Sequence, residues 1–481
     1  MMYFLKVILL VLLLFIVKPE CCKSVSIYLE SEEIYEYLSY LEARGYFVSS
    51  IFGIKPISLQ ETKRLIDEIS ARNNLDRVSL WILKCIEERL NLLSLDRDFI
   101  KPVSQISLSY SYSDSDLIKD FYYNNYGDNF SSDNNLRLTF NSVAKFSRFF
   151  FFLRPKLKIG DDYSGVCLEE AYFTFNIGNV DFFFGKSSQW WGIGKNGAIL
   201  ISNNAEPFTL FKISNDRPFI LPWIFKYLGL FKFSFFVTRL EDDRFVPHPY
   251  LWGLRLDFKP YPYIEIGISR TALLGGEGRS KGFSTWIKSF LGKEENEKED
   301  QPGDQKAGFD VKITIPCKTQ PFQVYLEAAG EDQAGNLPYK WAYLTGIYLP
   351  KVLTLENLSI RFEYAITDKH WYTHGIYRSG YTYKGRIIGH HIGRDAEDYW
   401  GEIRYFVPEE DMVINFGVEK IFYKRYSPQQ DELNFYFSIM KKLKKHSWLT
   451  ILFRHYEIDD YKGSYDSRDI NFLLVQFDQN F

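Results

Sequence analysis

Two hydrophobic periods divide the chain: helical spacing as far as about Ile100, then strand alternation from Ser104 to the last residue. In the first region Ser31 precedes Glu32 and Glu33 as an N-cap. Ile34, Tyr37, Leu38 and Leu41 then follow at helical spacing until Gly45 ends the element. Ser58-Leu59-Gln60-Glu61 reads as a capping box before Leu65, Ile66 and Ile69. A third stretch, Ser79 to Leu93, carries Leu80, Leu83, Ile86 and Leu90 on one face. The pattern predicts a small helical bundle over 25–102, with Pro102 marking the change of period.

From Ser104 the alternation is regular. Gln105–Ser113 sets Ile106, Leu108, Tyr110 and Tyr112 against serines, and Trp252–Lys259 sets Trp252, Leu254, Leu256 and Phe258 against Arg255, Asp257 and Lys259. Asp310, Lys312 and Thr314 stand opposite four apolar neighbours, as do Arg361 and Glu363. Segments of this kind are long enough to cross a membrane as tilted strands of about 9–11 residues. At one strand and connection per roughly 20 residues, residues 103–481 predict roughly 16 to 20 strands, an even number. The Asn/Asp/Tyr-rich stretch Asp114–Asn134 and the acidic run Gly292–Gln305 read as loops. The last strand alternates Leu473, Val475 and Phe477 and stops on Phe481, like the terminal strand of an outer-membrane barrel.

Composition sharpens this into a membrane β protein. The 481 residues include 42 Phe, 34 Tyr and 10 Trp, and beyond the N-terminus no apolar run reaches the length of a spanning helix. Residues 1–24 read as a secretory signal, with Lys6 ahead of the apolar run Val7–Val17. A net charge of -3 gives no basic field for nucleic acid. After the signal, Cys85, Cys167 and Cys317 are too few and too scattered for a disulfide framework or a zinc spacing.

The segment Gly185–Phe208, GKSSQWWGIGKNGAILISNNAEPF, concentrates Trp190 and Trp191 with Asn203 and Asn204. Indole faces stack on sugar CH groups and amides bind hydroxyls, so these four are candidate carbohydrate ligands. Equally, the tryptophans fit an aromatic girdle at the bilayer edge, and the asparagines a turn. Arg217, Arg239, Arg270 and Arg279 are candidates for the carboxylates of an acidic polysaccharide. Of these, Arg239 and Arg270 lie on the apolar parity, which predicts a strand end or a bulge at each. Arg255, Asp257, Asp310, Glu327, Arg361 and Glu363 share the polar parity and are expected to brace the interior as ion pairs.

Catalytic constellations are weak. Glu331 and Asp332 are adjacent and diverge on a strand, and His370-Trp-Tyr-Thr-His374 lacks the glutamate of a zinc helix. His390 and His391 would likewise diverge, and the glycines at 275–278 lack a following Lys-Ser/Thr. The expectation is a non-enzyme without cofactor or metal.

The chain resembles the capsule assembly Wzi family through a series of ordered motifs. They are YLSYLEARGYF at 37–47, WWGIGKNGAILISNNAEPF at 190–208, NDRPF at 215–219 and GISRTALLGGEGRS at 267–280. Phe362-Glu363-Tyr364 and GYTYKGRIIGHHIGRDA at 380–396 complete the series. The resemblance implies an outer-membrane barrel of about eighteen strands whose periplasmic side is closed by a helical bundle. It also implies lectin-like binding of surface polysaccharide, capsular or extracellular, without catalysis. Outer-membrane lipids and the barrel assembly machinery are the other expected partners, and a monomer the expected state. A porin-like channel for sugars or ions is the alternative.

Overall fold

The computed structural model describes residues 32–481 except 71, 73, 74, 91–96, 162, 292–302 and 335–336, and leaves the side chains of 332–339 aside. The signal segment, the Ser31 cap, Leu93 and most of the acidic run therefore lie outside the described residues. Among them, eighteen strands from Phe99–Ser113 to Arg468–Asn480 form one closed antiparallel barrel, each paired with its neighbour in sequence. Closure is direct: the first strand pairs with the last from Gln105↔Asn480 to Ser113↔Phe472.

Parity explains why the sheet closes around a polar interior. Outward residues such as Leu108, Phe309, Phe362 and Phe453 are about two-fifths exposed, whereas Arg255, Asp257 and Glu265 on the inner parity are at most 1% exposed. Apolar side chains face outward and charges face inward, the reverse of a water-soluble domain, so the outer surface belongs in lipid. One outward tryptophan is covered. A helix in the loop after Leu274, Phe283–Leu291, lays Phe290 on Trp252 (ring centroids 5.4 Å apart) and Trp286 on Tyr250 (5.6 Å).

The strand turns at one mouth are short, as at 147–148, 178–179, 262–263 and 445–446, and those at the other are long, notably 114–132, 188–207 and 368–395. Three N-terminal helices, α1 (Glu32–Ala43), α2 (Leu59–Ser70) and α3 (Arg77–Leu90), occupy the short-turn mouth. Gly45 ends α1 at φ +77°, where a Cβ would come within 2.3 Å of Pro316. Ser58 Oγ accepts the Glu61 N–H at 3.0 Å, but the Glu61 carboxylate turns to Arg64 (2.7 Å), so only half of the expected capping box forms. In α3 Asp76 is the cap, accepting the Ser79 N–H at 2.9 Å. Leu80 is 52% exposed, against expectation, because Trp81, Ile82 and Cys85 share the buried face with Leu83 and Ile86.

The helices are bound to the barrel by more than apolar contact. Trp81 Nε1 donates to Asp411 at 2.7 Å in the turn after Val407, and Tyr40 meets Phe406 edge-on. Deeper in, Glu42 of α1 pairs with Lys312 at 2.7 Å. The helical region ends earlier than Pro102, since the first strand begins at Phe99 and takes Pro102 inside a register shift between Lys101 and Gln105. A proline lacks the ladder donor, and a bulge tolerates its absence.

Arg255 is the densest of the interior contacts: it donates to Asp257 at 2.7 Å, Asp310 at 2.7 Å and Ser269 at 2.9 Å. Arg255→Ala leaves two buried carboxylates uncompensated and is expected to lower barrel stability by about 3–5 kcal/mol. Urea or thermal unfolding, followed by the mobility shift of unboiled protein on gels, measures this. A change below about 1 kcal/mol would show that water, not Arg255, solvates those carboxylates.

Candidate functional site

The strand Val180–Ser187 does not lead into an outward loop. After it the chain turns into the barrel, where Trp190 and Trp191 pair antiparallel with Lys55 and Ile54 of the N-terminal segment. Backbone N–H groups taken inside need acceptors, and lumen carboxylates supply them. Glu327 accepts from Ile193, Gly194 (2.8 Å) and Ile199 (3.1 Å). Glu363 accepts from Lys195 (2.7 Å) and Asn196 (2.8 Å), while Glu265 accepts from Phe52 (3.0 Å) and Gly53 (2.8 Å). Gly192, at φ +142°, lies so close that a Cβ would sit 2.4 Å from the Glu327 carboxylate. That contact is why glycine is needed there.

The tryptophan pair therefore lies in the lumen and not at the bilayer edge. Trp191 is 1% exposed and packs edge-on against Phe236, as a core residue. Trp190 instead lines a cavity of about 310 Å³, inside the range of roughly 300–1,000 Å³ usual for small-ligand sites. Tyr122, Tyr123, Trp400 and Tyr436 supply further aromatic wall. Asn203 lines the same cavity and donates to Glu32 at 2.8 Å, whereas Asn204 is spent holding loops together, donating to the Ile387 carbonyl at 3.0 Å. Trp190 Nε1, Asn203 Oδ1, Asn124 Oδ1 and Asn415 Oδ1 are buried cavity atoms without a hydrogen-bond partner among the described residues. A ring of hydroxyls could satisfy both the donor and the acceptors.

Charge in the cavity is mixed. Lys55 Nζ sits 5.0 Å over the Trp190 ring and 5.4 Å over Tyr35. Burial, reinforced by Lys195, pushes the Lys55 ammonium down to about 8. Burial alone would raise the Glu36 carboxyl, but Lys195 (3.0 Å), Arg361 and Arg404 outweigh it and hold the group well below the usual carboxylate range.

The four candidate arginines do not gather here. Arg217 is at the short-turn mouth, where its main chain is tied to Asn179 and its side chain stands 3.7 Å from Asp216. Arg239 ends its strand and is exposed on the outer parity. Arg270 is at neither a strand end nor a bulge. It lies on the outer wall, donating to the Ser289 and Phe290 carbonyls at the end of the external helix and solvated by them instead of by lipid. Arg279 is in the loop leading to that helix, beside the Tyr377 hydroxyl. The interior set is also used differently from expectation. Arg255, Asp257 and Asp310 form ion pairs and Arg361 approaches Glu36 (3.7 Å), but Glu327 and Glu363 serve chiefly as backbone acceptors. Lys55, Lys195, Tyr122 and Tyr123 escape a reading of periodicity because they lie on irregular segments. The aromatic density of Asp114–Asn134 was the available signal.

His390 and His391, expected to diverge, lie in the inward loop 368–395 with their rings stacked at 4.7 Å. His370 is exposed, and His374 Nδ1 accepts the Ile376 N–H at 3.2 Å. Glu331 is an interior partner of Lys306 at 3.2 Å.

A family model described as capsule assembly protein Wzi matches residues 107–463. The chain is 27% identical over 315 residues to an uncharacterized 55.8 kDa protein in the cps region of Klebsiella pneumoniae. That match covers 64% of this chain and 59% of the relative, so the chain spans about three-fifths of the length of the curated relative it matches. Among solved structures, Wzi of Escherichia coli, an outer-membrane protein involved in group 1 capsule assembly and a carbohydrate-binding β-barrel, superposes with a TM-score of 0.76. Identity is 20%, and the alignment covers 95% of this chain and 99% of that one. With its closed barrel and apolar outer belt, the protein is an outer-membrane β-barrel.

Glu327→Gln removes the charge that three backbone N–H groups share. A hydrogen bond to a charged group is worth about 1.5–3 kcal/mol, so amide exchange over 193–199 is expected to accelerate by at least about tenfold. Hydrogen–deuterium exchange with peptide mass spectrometry reads this. Unchanged exchange would remove Glu327 as the anchor of the loop.

Proposed function

The chain belongs to the capsule assembly protein Wzi family, and from that premise we propose that it binds capsular or extracellular polysaccharide and retains it at the cell surface without cleaving it. The observation that carries this reading is the lumenal cavity, where aromatic walls stand beside Trp190 Nε1 and amide oxygens that lack partners among the described residues. Sugar rings offer the matching surface, CH faces for the rings and hydroxyls for the polar atoms. The Escherichia coli barrel of the same fold is described as carbohydrate-binding, which is the same chemistry.

In this reading residues 1–24 direct export, the barrel assembly machinery inserts the chain as a monomer, and α1–α3 close the periplasmic mouth. The long loops 114–132 and 188–207 reach the cavity from the cell-surface side, and 368–395 backs them through His391 stacked on Tyr123. Filling of the lumen by helices and inward loops favours binding over free diffusion, so the intact protein should be nearly silent in planar bilayers. Large open channels would favour the porin alternative. Lys55, Lys195 and Arg454 are the cavity groups that would meet the carboxylates of an acidic sugar, with Glu32, Glu36, Glu402 and Glu419 as a counterweight.

Deletion of the gene should release surface polysaccharide into the medium while synthesis continues. Trp190→Ala with Asn203→Ala should weaken retention by about 1–3 kcal/mol per stacked ring, the scale seen for aromatic stacking on bases, with assembly unchanged. Trp191→Ala, by contrast, should lower stability and leave retention per folded molecule intact. If the double variant retains polymer normally, the cavity is not the binding site.

Lys55 supplies a pH test. Its ammonium is charged below about 8 and neutral above. Attraction of an acidic polymer should therefore be full at lower pH and fall as pH rises through that value. Retention measured against pH should lose this step in Lys55→Ala. A step that survives the substitution would assign the titration elsewhere.

A further inference from the structure

On the cell-surface side of the cavity, the inward loop 368–395 brings His390 and His391 against Asp398 on the inner face of the strand Ala396–Val407. All three are nearly fully buried, and their ligand atoms lie within 4.8 Å of one another. His390 Nδ1, His391 Nδ1 and Asp398 Oδ1 have no hydrogen-bond partner among the described residues. Three clustered residues that each carry a buried polar atom without a partner are costly unless something satisfies them.

From this geometry we infer a zinc site formed by His390, His391 and Asp398. Two imidazoles and a carboxylate form the nitrogen–oxygen set that suits Zn²⁺, whereas Ca²⁺ and Mg²⁺ favour oxygen alone. The surroundings match a metal's outer shell. His391 Nε2 stands 3.1 Å from Glu419 Oε1, a carboxylate that fixes the tautomer and leaves Nδ1 as the lone pair for the ion. Asn196 Nδ2 holds the other oxygen of Asp398 at 3.1 Å, and Asn434 holds Glu419 at 3.0 Å. His390 Nε2 is 4.0 Å from Asp398 Oδ2. Ligand atoms around one tetrahedral ion stand roughly 3.3 Å apart. The two imidazoles are stacked with planes 28° apart, so closing the site requires the His390 ring to turn out of the stack until both lone pairs meet the ion.

Charge points the same way. Asp398, Glu419 and Glu432 are buried together, and their hydrogen-bond partners among the described residues are amides, phenols and imidazoles, while Arg425 and Arg454 act electrostatically on Glu432 and Glu419. A divalent cation offsets that concentration of negative charge. It also fastens the 368–395 loop to the barrel wall beside Tyr123, which stacks on His391 at 4.4 Å and lines the cavity. The fourth position is left to water.

The test uses the full chain in detergent, stripped with chelator and returned to Zn²⁺. Elemental analysis should give close to one zinc per chain, Co²⁺ should give the visible absorption of a tetrahedral site, and zinc should raise the unfolding temperature. His390→Ala with His391→Ala should weaken zinc binding by at least about tenfold and remove the temperature rise, while the unboiled barrel still shifts on gels. Should that variant not assemble, Asp398→Asn is read by the same assays and must show the same loss. A wild-type chain that binds no zinc, or folded variants that bind it as tightly, would overturn the site.

Discussion

Every part of this barrel's interior depends on one requirement: a main-chain N–H carried away from water must find an acceptor. A barrel wall satisfies its own backbone through the ladder, but a loop folded into the lumen has no ladder to join. Here carboxylates projecting from the strands take that part. Glu327, Glu363 and Glu265 together accept seven main-chain N–H groups from residues 193–199 and 52–53. The Gly192 and Gly53 positions, where a Cβ would meet Glu327 or Arg255, let the backbone come that close.

The same acidic lumen sets the rest of the interior. Several of its carboxylates are matched by cations on the same walls, Asp257 and Asp310 by Arg255, and Asp304 and Glu331 by Lys306. The N-terminal helices add Glu36, which meets Lys195, and Glu42, which meets Lys312. Helices and barrel therefore form one structure more than a barrel with a loose stopper. Their apolar residues, among them Leu41, Ile54 and Ile86, belong to one continuous core with Trp191, Phe236 and Phe406. A lumen filled in this way holds defined cavities, and one of about 310 Å³ is bounded by aromatic rings and by residues with polar atoms that lack partners among the described residues.

Function follows from what is left over. In the function proposed, sugar recognition needs stacking faces and unspent hydrogen-bonding groups held rigidly, which Trp190 and Asn203 on the cavity wall would supply and the core residue Trp191 and the loop-bound Asn204 would not. The two tryptophans are adjacent yet opposite in role, because antiparallel pairing with Lys55 and Ile54 sends one ring to the cavity and the other into the core. The arginines went elsewhere for an equally local reason. Arg239 and Arg270 stand on the outward parity, and Arg270 is solvated by the carbonyl end of an external helix.

Alternation with charge on one parity of strand after strand, the aromatic-rich composition and the terminal Phe481 together pointed to a barrel and to which face of each strand meets lipid. Spacing and caps likewise marked the three helices, to within the exposure of Leu80 and the bulge at Pro102. Parity placed Arg255, Asp257 and Asp310 inside. What it did not decide was whether the loops 188–207 and 368–395 turn outward or inward. That choice rests on acceptors far away in sequence, 133 residues for Gly194 and Glu327 and 168 for Lys195 and Glu363. It rests also on His390 and His391 escaping the strand geometry that would have parted them. Local pattern carries the direction of a side chain relative to its own strand. Only the closed barrel brings distant carboxylates to one height in the lumen, and it is there that the loops find partners for their main chain.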